Sequence, residues 1–198
     1  MAVSAAYLED VLLVDRCLGG EEAAARELFR RHRARVHASL FRVLGSNRDM
    51  DDLMQEAFLQ VFQSLRAWRA EASLATWIDR IAVRVVYRYL AGRKAAPPPL
   101  GLVDDDAIAV GPGGARRAMA REGVRRLYAA LERMSPAARV AFVLFEIEGR
   151  SMAEVAEATG ASVTATKLRV WRGRRALEAA AAEDPVLREY LKTEDDEA

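Results

Sequence analysis

A stretch rich in proline, glycine and aspartate interrupts the middle of this 198-residue chain. It contains three consecutive prolines (97–99), three consecutive aspartates (104–106) and the sequence Gly-Pro-Gly-Gly at 111–114. No helix is expected to run through these residues, because proline removes a backbone donor and glycine weakens a helix. We therefore predict a flexible linker over residues 96–120 that joins two independently folding halves.

Both halves have the composition and spacing of helices. Ala, Leu, Arg and Glu dominate, apolar residues recur every three or four positions, and the alternation typical of strands is missing. We predict an all-α fold of two small helical domains. The expected units are an N-terminal helix (1–20), a first domain (21–95), a second domain (121–180) and an acidic tail (181–198).

The second domain contains a helix-turn-helix pattern. Ser151 and Ser162 are placed to cap two successive helices, and Gly160 lies where the chain must turn between them. Val163, Thr166, Val170 and Leu177 fall on the inner side of the second helix. The remaining face carries five cations and, at its end, the single anion Glu178. Such a run is commonly a solvated surface, but here the like charges repel each other unless a polyanion is near, which favours DNA binding.

Two helices of the first domain carry charged surfaces beside apolar stripes. The third helix, capped by residues 49–51, has a stripe from Leu53 to Leu65. In the fourth helix Arg80, Arg84 and Arg88 stand one turn apart. Such a ladder is unfavourable by a few tenths of a kcal/mol per pair, and a phosphate backbone would convert the repulsion into attraction.

Three segments resemble the sigma factors of bacterial RNA polymerase. Residues 51–62 (DDLMQEAFLQVF) resemble the helix that binds core polymerase, and residues 72–82 (ASLATWIDRIA) resemble the promoter-melting segment. Residues 131–175, from LERMSP onward, are similar to the domain that binds the upstream promoter element. Two such domains in this order, across a linker, resemble the extracytoplasmic-function (ECF) group of the sigma-70 family.

The resemblance implies two surfaces in the first domain. The third helix would present its acidic, amide-bearing face to a basic coiled coil of the largest polymerase subunit, although two of its aspartates can also stabilise the helix N-terminus. The loop after it and the fourth helix would capture unpaired −10 bases along a basic track. Trp68 and Trp77 are assigned to the core or its rim rather than to base stacking. The candidate polymerase-binding residues are Asp51, Asp52, Leu53, Gln55 and Glu56, and the −10 candidates are Arg66, Arg69, Arg80, Arg84 and Arg88.

The resemblance also implies a −35 surface on the second helix of the helix-turn-helix. Candidates for base or nearby backbone contact are Lys167, Leu168, Trp171 and Arg172, and candidate phosphate clamps are Arg169, Arg174 and Arg175. The chain departs from the family pattern at two positions. Arg84 replaces a common Asn near the −10 bases, and Leu168 replaces a Ser, so that it can touch a thymine methyl but cannot hydrogen-bond a base.

The remaining features argue against other classes of protein. One cysteine, Cys17, excludes an internal disulfide and a cysteine-rich zinc site. His32 and His37 have no ligand partners at suitable spacing, and we expect no metal, cofactor or active site. No signal peptide or membrane span is evident, and the protein is expected in the cytoplasm.

Two alternative functions differ in the surfaces that they require. A free-standing repressor would not need the acidic third-helix surface, and a sigma mimic that sequesters a regulator should lose its DNA contacts. The resemblance further implies an anti-sigma factor.

The tail has seven anions and two cations over residues 183–198. It could fold over the basic helix and weaken DNA binding, although a disordered, solubilising end is the favoured interpretation.

Overall fold

The computed structural model describes residues 5–92 and 114–195, and this part of the chain contains helices and no strand. The predicted all-α fold is confirmed. The first half comprises α1 (Ala5–Leu18), α2 (Glu22–Leu44), α3 (Met50–Ser64), a 3₁₀ turn (Leu65–Ala67) and α4 (Leu74–Gly92). The second half comprises α5 (Gly114–Glu132), α6 (Pro136–Phe142), a π-helical turn (Val143–Ile147), α7 (Met152–Thr159), α8 (Val163–Glu183) and α9 (Pro185–Asp195).

The core of the first half lies between α2, α3 and α4. Leu28, Leu40, Val61, Ile78 and Val85 are fully buried there, as their helical spacing predicts. Helix α1 packs onto this core through Leu13 and Val14. Its Asp10 carboxylate accepts a hydrogen bond of 3.2 Å from the backbone N–H of Leu74. Because the first N–H groups of a helix have no partner within it, Asp10 satisfies one of those at the start of α4.

Serine caps fix the start of three helices in the second half. The hydroxyls of Ser135, Ser151 and Ser162 accept hydrogen bonds from the backbone N–H groups of Ala138, Glu154 and Ala165. Glu154 completes a capping box by accepting the Ser151 N–H at 2.8 Å. Gly160 ends α7 in the left-handed region, with a φ of 65°. The predicted caps and turn of the helix-turn-helix are therefore confirmed.

Two boundaries differ from the sequence-based expectation. Residues 96–113 of the predicted linker lie outside the described residues, but residues 114–120 form the first two turns of α5. The alanines after Gly114 favour helix strongly enough to start it before Arg121. Residues 185–195 of the predicted tail form helix α9, which packs against α5 and α8 and buries Leu187. The tail is therefore neither disordered over residues 185–195 nor folded over the basic face of α8.

The two halves pack against each other. Helix α4 contacts α6 and α7, and most buried apolar residues of both halves belong to one hydrophobic cluster. The sequence predicts that the halves fold independently, and in this structure they share a core. No helix in the described ranges is both long enough and apolar enough to cross a membrane.

Candidate polymerase and promoter interface

An open apolar groove runs between α2 and α3. It has a volume of about 770 Å³, and it is lined mainly by Phe29, Met54, Phe58, Leu59 and Phe62. Leu59 is 55% exposed, Phe29 39% and Phe62 37%, although helical spacing predicts both phenylalanines in the core. The phenyl rings of Phe29 and Phe58 meet edge to face, with centroids 4.6 Å apart. The groove therefore has a packed aromatic base and exposed apolar side chains along its edges, as protein-docking surfaces do.

Acidic and amide side chains border this groove. Asp51, Asp52, Gln55 and Glu56 are exposed on α3, where the sequence places a polymerase-binding surface. Leu53 does not belong to it: its side chain is only 3% exposed and packs in the core. Leu53 lies on the inner stripe of α3 with Ala57 and Val61. The family motif spans residues from both faces of the helix, so it does not separate the inner residues from the exposed ones.

The candidate −10 cations lie along the edge formed by the 3₁₀ turn, the following loop and α4. Arg66, Arg69, Arg84 and Arg88 are exposed. Arg88 donates to Glu56 at 3.0 Å, so the cation ladder of α4 adjoins the acidic border of the groove. Arg80 is different because it binds Glu157 of α7 at 2.6 Å, and its side chain is only 22% exposed.

The two tryptophans near this edge hold the loop between α3 and α4 in place. The Trp68 indole N–H donates to the Ala72 carbonyl at 3.1 Å, which closes the loop. Trp68 and Trp77 both pack against the hydrophobic core. Their predicted structural role is therefore confirmed. Ala70 lies between them with a φ of 59°, an uncommon conformation for a residue with a side chain.

Helix α8 presents an apolar inner face and a basic outer face. Thr166, Val170 and Gly173 are buried against the rest of the domain, and a Cβ atom at Gly173 would lie 2.8 Å from Cβ of Phe142. Val163 is 44% exposed, contrary to the prediction that it faces inward, because it is the first residue of α8 and precedes the contact with α6. The exposed residues of the outer face are Lys167, Leu168, Trp171, Arg172, Arg174 and Arg175, with Arg169 half-buried.

Neighbouring residues hold two of these cations in place. Glu146 accepts a hydrogen bond of 2.5 Å from Arg174 Nε, and the Arg174 guanidinium lies 5.8 Å from the centroid of the Phe145 ring. Arg175 pairs with Glu178 at 3.1 Å. Leu168 and Trp171 are 46% and 57% exposed. A helix with exposed apolar residues among oriented cations can contact base methyls and phosphates together.

Comparison with known proteins identifies the family. Residues 28–96 match the family model of Sigma-70 region 2, and residues 124–177 match that of Sigma-70, region 4. The ECF RNA polymerase sigma-E factor of Haemophilus influenzae is 28% identical over 182 residues, which cover 88% of this chain and 96% of that protein. The chain belongs to the ECF group of the sigma-70 family. Region 2 thus falls on α2–α4, and region 4 on α5–α8.

Two further similarities concern the sequence and the fold. The sigma-E factor of Escherichia coli K12 is 28% identical over 179 residues, 86% of this chain and 93% of that protein. A solved structure of CnrH in complex with the cytosolic domain of CnrY has a TM-score of 0.59 at 24% identity and covers 88% of this chain. That likeness supports the fold. As a sigma factor, the protein binds core RNA polymerase and directs promoter-specific transcription initiation.

A group of charged residues between region 2 and region 4 is not among the residues that the sequence predicts to be functional. Asp79 is 2% exposed and accepts two hydrogen bonds from Arg35, at 2.6 and 2.8 Å. The hydrogen bond to Asp79 raises the pKa of Arg35. Arg139 is 4% exposed and binds backbone carbonyls of α2. The sequence does single out both residues, because Asp79 and Arg139 are charged residues within otherwise apolar helix faces.

Proposed function

We propose that this ECF sigma factor docks on core polymerase through the groove between α2 and α3. The observation that carries the proposal is the juxtaposition of exposed Phe29, Leu59 and Phe62 with the acidic border at Asp51 and Asp52. A helix with an apolar stripe and basic flanks fits such a surface. A basic coiled coil of the largest polymerase subunit has both properties.

We also propose that the cations beside this groove bind the melted −10 strand. Arg66, Arg69, Arg84 and Arg88 are exposed along one edge, and Arg80 joins them when it leaves Glu157. Arg88 and Glu56 form an ion pair, so the proposed −10 track lies beside the acidic border of the proposed docking groove. Since Arg84 has donors but no acceptor, the −10 preference is expected to differ from that of relatives with Asn there.

Helix α8 is proposed to bind the −35 element in the major groove. Lys167, Leu168, Trp171 and Arg172 are assigned to base edges or nearby backbone, and Arg169, Arg174 and Arg175 to phosphates. The support is the basic outer face of α8 and the cap at its N-terminus, which orients the first turn. We infer that the protein acts in the cytoplasm, by binding rather than by catalysis.

An anti-sigma factor is the further partner that we propose. The similar structure of CnrH is a complex with the cytosolic domain of CnrY. We assign such a partner to the apolar groove between α2 and α3 of this chain. A regulator with an apolar helix flanked by basic residues would compete there with core polymerase.

Transcription with purified core polymerase tests the function. A promoter library should yield new start sites that share −35 and −10 elements, and no new starts despite DNA binding would favour a repressor.

Leu59→Glu places a charge in the groove and should weaken core binding at least tenfold in a titration with labelled protein. Met119→Glu is the matched control, because Met119 is 67% exposed on α5, away from the groove. Equal affinities of the two variants would contradict docking at the groove.

A further inference from the structure

A cavity of about 460 Å³ lies between region 2 and region 4. Its lining comes from α2, α4, α7 and the segment from Ile147 to Arg150 that precedes α7. None of the described residues lines both this cavity and the groove between α2 and α3. The volume is typical of small-molecule sites. The segment begins at the end of the π-helical turn, and such turns are rare and often lie at functional sites.

Asp79 gives this cavity a buried carboxylate oxygen that has no partner. Its side chain is 3% exposed, and Oδ2 accepts the two hydrogen bonds from Arg35 and lies 3.6 Å from Arg150. The other oxygen, Oδ1, accepts no hydrogen bond from the described part of the chain. Buried polar atoms nearly always have a partner, so Oδ1 indicates a donor that a ligand brings. Because an ionised carboxylate only accepts, the ligand must present an N–H or O–H group.

Two arginines of α2 supply donors to the same cavity. Arg35 and Arg42 line it, and their side chains are 57% and 49% exposed. Arg35 uses Nε and one Nη atom for Asp79, and Arg42 makes a long contact of 3.5 Å to Glu148. Each guanidinium therefore has further N–H donors for a ligand, and guanidinium groups are well suited to bind phosphate. These exposed cations also disfavour a purely cationic ligand such as a polyamine.

The α7 side of the cavity carries acceptors. Glu154 binds Ser151 in the capping box, and Glu157 binds Arg80. A carboxylate has room for about four hydrogen bonds, so either group can also accept from the hydroxyls of a sugar. Ile147 is 42% exposed and offers an apolar surface to a planar ring. The cavity therefore combines contacts for a base, a sugar and a phosphate.

We propose that this cavity binds a purine nucleotide and that guanine is the preferred base. The base donates N–H groups to Oδ1 of Asp79, and the phosphate accepts hydrogen bonds from Arg35 and Arg42. Guanine places an imino and an amino N–H side by side on one edge. Adenine places an acceptor nitrogen beside its amino group, and this nitrogen would face the carboxylate. Nucleotide binding does not depend on the proposed docking on polymerase, because the cavity and the docking groove are separate.

Isothermal titration calorimetry of the full chain tests the proposal with GMP, AMP and inorganic phosphate as probes. We expect GMP to bind once per chain and AMP to bind about tenfold more weakly, which is the effect of one lost hydrogen bond. Phosphate should bind more weakly than either nucleotide, because it provides no base. No binding of GMP at about 1 mM would mean that water satisfies Oδ1 of Asp79. That result, or equal affinities for GMP and AMP, would overturn the proposal.

Two substitutions locate the site. Arg42→Gln removes a phosphate donor and should weaken GMP binding about tenfold. Arg30→Gln is the matched control, because Arg30 is an exposed arginine of the same helix that does not line the cavity. Asp79→Asn changes the acceptor and should reduce the preference for GMP over AMP. Circular dichroism checks that Asp79→Asn is folded, and if it is not, the comparison of Arg42→Gln with Arg30→Gln decides.

Two results with these variants would overturn the proposal. Equal effects of Arg42→Gln and Arg30→Gln would place GMP elsewhere on the protein. A promoter strand also carries guanine and phosphate, so a single-stranded DNA that contains guanine is titrated in parallel. If wild type and Arg42→Gln bind this DNA equally, the cavity takes the free nucleotide as proposed. DNA binding that is tighter than GMP binding and is lost in Arg42→Gln would assign the cavity to the strand instead.

Discussion

On the proposed −35 surface, Arg174 and Leu168 would contribute to DNA binding in different ways. Arg174 is held by Glu146 and lies beside the Phe145 ring, so its guanidinium is oriented before DNA arrives. Leu168 is exposed and apolar, and it can only distinguish surfaces such as a thymine methyl. The two side chains should therefore affect affinity and specificity separately.

Arg174→Gln should weaken binding to all duplexes by a similar factor. Loss of one phosphate contact is expected to reduce the salt slope, d log K/d log [salt], by about 0.9. Fluorescence anisotropy over a series of salt concentrations measures this salt slope. Arg133→Gln is the control, since Arg133 is exposed and paired with Glu183 near the other end of α8. An unchanged slope for Arg174→Gln would remove it from the phosphate contacts.

Leu168→Ser should change which −35 sequences are preferred and leave the salt slope as it is. The hydroxyl can hydrogen-bond a base edge, whereas the leucine contacts a methyl group. We expect a shift of about 1 kcal/mol in the preference at one base-pair position. Selection from a randomised −35 library measures this preference. Identical selected motifs for the two proteins would show that Leu168 does not contact bases.

His32 gives the protein a predicted pH dependence. Its side chain is buried, and burial lowers the pKa of His32, while the nearby Asp10 carboxylate opposes this. The unfolded chain, with a histidine pKa of about 6.5, therefore binds a proton more readily than the folded chain. Stability should fall as the pH drops through 6.5. His32→Leu should reduce the shift of the urea midpoint between pH 7.5 and 5.5, and substitution of the exposed His37 by leucine should not. Equal shifts in all three proteins would contradict the prediction.

At the scale of single residues, the sequence predicts helix faces better than it predicts exposure. Leu53 lies inside and Phe62 lies partly outside, although both fall on the same apolar stripe of α3. The stripe is wider than the surface that α2 and α4 cover, and periodicity cannot show where that cover ends. The edge left uncovered is the candidate groove.

Helix α9 is the element that sequence patterns predict least well. Residues 183–198 are mostly charged, but Leu187 contacts Ala130 and Ala180 in a small separate core, and the Asp184 carboxylate accepts N–H bonds from Val186 and Leu187 at the helix start. The overall composition of residues 183–198 does not predict these few apolar contacts. The caps at Ser135, Ser151 and Ser162 were predictable, because each depends on a few adjacent residues.

Leu187→Ala should destabilise region 4. The side chain is 1% exposed, and truncation of a buried leucine costs about 2–5 kcal/mol. Val186→Ala is the matched control, because Val186 is adjacent and 42% exposed. Thermal unfolding followed by circular dichroism compares the melting temperatures of the two variants. Equal melting temperatures would show that α9 does not contribute to the fold in solution.

At the scale of the whole molecule, the linker composition suggests two independent halves, but the structure packs the two halves together. The two halves match separate family models, yet most of their buried apolar residues form one cluster that includes residues of α4, α6 and α7. The contacts that join them depend on Arg139, Asp79 and Gly45, which are far apart in sequence. Such long-range pairings cannot be derived from local patterns.

A shared core predicts cooperative unfolding of the two domains. Trp171 reports on region 4 when Trp68 and Trp77 are replaced by phenylalanine, while circular dichroism reports on all helices. In that background the two signals should give the same urea midpoint, because loss of either half exposes the core of the other. Adding Arg139→Ala leaves the carbonyls at the end of α2 to water, so the domains should separate and the midpoints should diverge. Adding Arg133→Ala instead, an exposed arginine of the same half, should keep them together. Divergent midpoints without either substitution would mean that the shared core contributes little to stability.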